Sequence, residues 1–171
     1  MKRRALLLLA ATPAVTGCGY RVAGRADLLP RNLQTIAIPA FANLTIRYRL
    51  ADRLPAALTR EFINRTRYDI VADPAGADAV LTGAIVSYNA FPTVFDQQTG
   101  RAAAVQLNVV LQLKLTGRDG TVIFERPALE ARQRYEISID QVAYFEENAA
   151  ALDRLSRDVA RTVVSAILEA F

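Results

Sequence analysis

The sequence predicts an α+β domain: a mixed four-stranded sheet with two amphipathic helices packed on one face, in the order β-α-β-β-β-α. Three observations predict it. Val105 to Leu115 is apolar at every odd position and polar between, except at Val110. Leu50, Leu54, Leu58 and Phe62 recur at the spacing of one helical face. Leu152, Leu155, Val159, Val163 and Ile167 do the same near the C-terminus.

The elements follow in order. Gln34 to Ile38 is a compact strand ended by Pro39. A helix is expected from about Arg47 to Arg65, starting late or kinking at Pro55, because proline removes an N–H and crowds the preceding turn. Tyr68 to Val71 is a short strand-like piece, broken by Asp73-Pro74-Ala75-Gly76. Val80 to Val86 is rich in β-formers and extends through Phe95. After Val105–Leu115, Gly117-Arg118-Asp119-Gly120 reads as a tight hairpin turn. Thr121 to Phe124 opens the last strand, and Pro127 interrupts it before Leu129–Ile137, the mark of an edge or a bulge. Glu146 and Glu147 are placed at the start of the final helix, where its dipole favours anions. The first strand-helix-strand unit crosses over to a parallel pair, and the later strands form an antiparallel meander. The face carrying Gln106, Asn108 and Gln112 is expected to lie away from the helices.

Composition removes most enzyme chemistry. The 171 residues include no histidine and a single cysteine, Cys18. Without histidine there is no Ser-His-Asp or Cys-His machinery and no His-containing metal site. One cysteine permits neither an internal disulfide nor a thiolate cluster. Asp140, Glu146 and Glu147 could pair as acids, but an acidic helix start accounts for them. No catalytic residue, metal ligand or cofactor is expected. The net charge of +4 is mostly the leader's: from Cys18 onward, 18 basic residues face 17 acidic ones. A nucleic-acid partner therefore finds no support. Arg132 and Arg134, with Arg126 nearby, form the densest basic group on a strand, readable as a solvated face or an anion site.

The N-terminus reads as an address. Lys2, Arg3 and Arg4 precede a short apolar run from Ala5 to Ala11, too short to span a bilayer, so residues 1–17 form a signal peptide. Its end, Val15-Thr16-Gly17-Cys18, resembles a bacterial lipobox. That resemblance implies a covalent lipid on Cys18 and, with Gly19 following, a periplasm-facing anchor in the outer membrane. Residues 18–33 are then a lipidated tether, and 34–171 a single domain.

Further landmarks lie along the chain. Cys18-Gly19-Tyr20-Arg21, Leu29-Pro30, Thr35 to Thr45 and Ala77 to Tyr88 resemble, in order and spacing, the LPS-assembly lipoprotein family LptE. The resemblance implies two helices on a four-stranded sheet. It also implies a lipoprotein that plugs the large β-barrel of the LPS translocon, assists its assembly and contacts lipopolysaccharide. Candidate contacts are Phe91, Phe95, Gln97 and Arg101 in the hairpin from Asn89 to Arg101, and Asp119 in the second turn. Arg101 is the only cation at that tip, and Ser138–Phe145 has none. A lipoprotein scaffold of another envelope complex is the competing reading.

Overall fold

The computed structural model describes residues 33–46, 49–137 and 141–169, with the backbone alone over 141–147. The leader, Cys18 and the tether up to residue 32 lie outside the described residues, as do Asp140 and the side chains of Glu146 and Glu147.

The chain forms β1 (Thr35–Ala37), β2 (Ala42–Asn43), α1 (Arg49–Arg65), β3 (Asp69–Val71), β4 (Ala79–Phe95), β5 (Ala102–Gly117), β6 (Val122–Glu136) and α2 (Gln141–Glu169). The class is the expected α+β, but the sheet has six strands rather than four. The additions are β3, which forms from the strand-like piece after α1, and β2, which resumes after Pro39 for two residues. Both are too short to show a period of their own.

β1 lies between β3 and β4 and is parallel to both, with Thr35 beside Asp69 and Ile36 beside Ala79. β2 continues the same lane along β4, with Ala42 beside Ala84. β4, β5 and β6 form the antiparallel meander. Pairing with β5 steps from Ile85–Leu111 to Ser87–Val110, so Val86 is an extra residue. That bulge exchanges the faces of β4. Leu81, Gly83 and Ile85 share the helix side with odd-numbered β5 residues below it, and Tyr88 and Ala90 do so above it. β6 runs through Pro127 rather than stopping there. Arg126 faces Leu113 and Leu129 faces Leu111, so Pro127 and Ala128 bulge opposite Gln112 on an edge strand.

α1 runs from Arg49 through Pro55 to Arg65, and Leu50, Leu54, Leu58 and Phe62 are all essentially inaccessible. Pro55 withdraws one N–H in the second turn. Burial of the flanking leucines, about 1.5–3 kcal/mol for each such side chain, offsets that loss. α2 begins at Gln141, which places Glu146 and Glu147 in its second turn instead of its start. The dipole account of those acids therefore lapses. Leu152, Leu155, Val159, Val163 and Ile167 join the core with α1 and the odd-numbered residues of β5. Leu107, Val109 and Leu111 are at most 1% exposed, whereas Gln112 is exposed on the opposite face. Two polar clamps join the helices. Arg53 donates to the Ala149 carbonyl at 2.8 Å and pairs with Asp153, and Arg65 donates to Ser165 Oγ at 2.7 Å.

Candidate binding surface

Every residue from Asn89 to Arg101 is exposed. β4 continues to Phe95, as the sequence predicted, and β5 resumes at Ala102, leaving Asp96–Arg101 as the turn. The tip is built by Asp96. Its Oδ1 accepts the N–H of Gln98 at 3.0 Å, the N–H of Thr99 at 2.7 Å and the Thr99 hydroxyl at 2.9 Å. The Thr99 amide, its hydroxyl and the Gln98 amide together hold the Asp96 carboxyl below its ordinary pKa. Asp96 N–H donates to the Arg101 carbonyl at 2.8 Å, and Gly100 closes the turn at φ +66°, which strains any L side chain. Gln97 and Arg101 sit on this tip, with Phe91 and Phe95 on the strand beneath it, both more than half exposed.

Asp119 is elsewhere. It builds the Gly117–Gly120 turn by accepting the Thr121 N–H at 3.0 Å and the Thr121 hydroxyl at 2.8 Å, and these bonds lower its pKa. The two turns lie at opposite ends of the 16-residue β5, roughly 50 Å apart at about 3.3 Å per residue. The second turn is also fastened to the body. Arg118 donates from its backbone to the Asp78 carbonyl at 2.8 Å, and from its guanidinium to the Ala77 and Gly76 carbonyls. It also pairs with the Asp78 carboxylate at 3.2 Å. The five candidate contacts thus divide into four on the arm and one at the base.

Sequence reasoning did not place the neighbours of Phe91. Register sets Phe91, Gln106 and Arg134 in one row across β4, β5 and β6, and Asn89, Asn108 and Arg132 in the next. Gln106 Nε2 donates to Asn108 Oδ1 at 3.0 Å, and Arg132 pairs with Glu130 at 3.1 Å. Arg126 is apart from them, stacked 5.5 Å from the Phe124 ring. The bulge at Val86 decides these rows, and no residue type announces it. Val94, 40% exposed, is the other apolar side chain on the arm that sequence reading passed over.

At the base, a groove of about 610 Å³ is lined by Leu33, Asp78, Arg118, Asp119, Thr121 and Ile123. Among the described residues no cluster of His, Cys, Asp or Glu could hold a metal ion. No described helix is long and apolar enough to cross a membrane. The arrangement offers contact area, amides and guanidinium groups: the chemistry of a binding surface.

Fold and surface together define a two-layer α+β domain with a β-ribbon arm. The chain belongs to the LptE family, described as lipopolysaccharide-assembly, whose model matches residues 33–167. Solved structures share the fold. Rare lipoprotein B from Shewanella oneidensis is 16% identical with a TM-score of 0.52, covering 80% of this chain and 95% of that one. An uncharacterized lipoprotein B from Nitrosomonas europaea is 13% identical with a TM-score of 0.54, covering 86% and 88%. No curated protein matches the chain in sequence.

Proposed function

We propose that this protein is an outer-membrane lipoprotein, anchored through lipid on Cys18 and facing the periplasm, that assembles with the β-barrel LPS translocon and plugs its lumen. In that position it supports the insertion of lipopolysaccharide at the cell surface. It acts by binding, without catalysis or a cofactor. The observation that carries this reading is the family match over residues 33–167, nearly the whole described domain. The architecture agrees with it: an exposed arm with a polar tip suits a barrel interior, which large outer-membrane barrels line with polar groups. The test is purification of the tagged, lipidated chain from outer membranes. Stoichiometric recovery of one large β-barrel protein is expected. Recovery of a different envelope complex without a barrel would overturn the reading in favour of another scaffold.

A further inference from the structure

From Ala79 to Phe95, β4 carries no charged residue. Over Asn89–Phe95 it has one neighbour among the described residues, β5. The lane on its other side is occupied lower down by β1 and then β2, whose register ends at Ile85. At the foot of this lane, which no described strand fills, stand Leu44 and Ile46, 72% and 83% exposed, and along it Phe91, Val94 and Phe95. A long, neutral, exposed strand edge is a template for another strand, and proteins ordinarily blunt such edges with charge, proline or bulges. The far margin of the same sheet is blunted in this way. There β6 carries Glu125, Arg126, Glu130, Arg132, Arg134 and Glu136, and bulges at Pro127. β4 has Pro92 alone.

We propose that the Asn89–Phe95 edge of β4 is a strand-addition site, which takes an extended, uncharged segment of the barrel partner into the lane above β2. The proposal rests on the partnership described under the proposed function. A backbone is the occupant because only a polypeptide repeats N–H and C=O groups at the spacing a strand edge presents; neither an acyl chain nor a sugar does. The added segment is uncharged because a charge set between Phe91, Val94 and Phe95 would lose water without gaining a counter-ion. A second copy of this chain is the weaker occupant. Pairing about a two-fold axis would bring Pro92, which has no N–H to give, into the ladder twice.

Amide hydrogen exchange on the lipidated chain, alone and in the purified barrel complex, tests the proposal. Exchange across residues 89–95 is expected to slow at least about tenfold in the complex. Ala90→Lys and Val94→Lys, each checked for an unchanged melting curve, are expected to abolish that slowing and reduce barrel recovery. A barrel that co-purifies while 89–95 exchange as fast as in the isolated chain overturns the edge and leaves the partnership standing. Failure to recover a barrel with the unsubstituted chain overturns both. Slowing that grows with the concentration of the isolated chain, together with a dimer in sedimentation, overturns the proposed occupant in favour of a second copy.

Discussion

The ring of Phe41 occupies the space that a side chain at Gly83 would need. A Cβ built on Gly83 would lie 2.6 Å from both Cδ2 and Cζ of that ring, closer than carbon atoms approach in folded proteins. Phe41 is 5% exposed and sits between β1 and β2, so the contact fixes the lane those strands occupy along β4. Gly83→Ala should therefore destabilise the domain by about 1–3 kcal/mol through overpacking. Phe41→Ala should cost about 3–5 kcal/mol through the cavity it leaves. Because the two residues share one space, the double variant should lose clearly less than the sum, and urea denaturation of all four proteins measures the coupling. Additive losses would show that the ring does not rest on Gly83.

That contact also marks how far the sequence could be read. Local periodicity sufficed for α1, for the buried face of α2 and for the alternation of β5, since each repeats its pattern over several turns or strand pairs. The stretches Thr35–Thr45 and Ala77–Tyr88 stood out as family landmarks, but the reason they belong together is a contact between residues 42 positions apart. β2 was unreadable because two residues carry no period, whereas β3 showed as the strand-like piece Tyr68–Val71 without its place in the sheet. The arm's surface was legible in part. Phe91, Phe95, Gln97 and Arg101 do stand together at one end, but Asp119 belongs to the other, since one strand, β5, separates the two turns.

Asp78 ties the entry of the domain to its base. Its Oδ2 accepts the N–H groups of Gln34 at 2.9 Å and Thr35 at 3.0 Å. The Gln34 amide first, then the Thr35 amide, and then the Arg118 charge lower its pKa. A carboxyl depressed in the folded state contributes stability that is present above its unfolded value, about 3.9, and is lost as pH falls through the folded value. Stability should accordingly decline below about pH 4. Asp78→Asn should lower stability at neutral pH and flatten the acid limb of a melting-temperature profile between pH 2 and 6. An acid limb of unchanged slope would remove Asp78 from this role.

The arm's tip should loosen without unfolding the domain. Asp96→Ala removes the acceptor of three hydrogen bonds, all within the Asp96–Arg101 turn. Gly100→Val imposes a β-branched side chain at φ +66°, at a cost of about 1–2 kcal/mol. Both variants should raise amide exchange at residues 97–101 while exchange in Leu107–Leu115 stays unchanged, because fraying ends open independently of the core. Loss of protection across β5 would mean that the tip instead stabilises the sheet as a whole.

The proposed anchor is testable apart from folding. Cys18 is the only cysteine and directly follows the expected signal peptide, so Cys18→Ala should lack the acyl mass in intact-protein mass spectrometry. It should also leave the membrane fraction, since two or more acyl chains hold a protein where one binds only reversibly. The melting temperature of the domain should not move. Retention in the membrane at unchanged mass would refute lipidation at this position.

In the proposed barrel complex, the separation of the two turns makes the orientation measurable. The tip bearing Gln97 stands about 50 Å from the turn bearing Asp119, given the 16 residues of β5 at about 3.3 Å each. The base end is also where Leu33 leads in from the tether, since Leu33 and Asp119 line one groove. If the lipid holds the base near the periplasmic face, Gln97 should reach deep into the lumen while Asp119 remains at its mouth. Photo-crosslinkers at the two positions should then both capture the barrel protein, but at segments on opposite membrane faces, resolved by mass spectrometry of the crosslinked peptides. Phe91→Ser and Phe95→Ser should weaken barrel recovery, because exposed aromatic rings are frequent anchors of interfaces. Crosslinks from Asp119 at the extracellular side, with Gln97 at the periplasmic side, would reverse the orientation. Crosslinks from helix α2 alone would place the arm outside the lumen and the plug in a different pose.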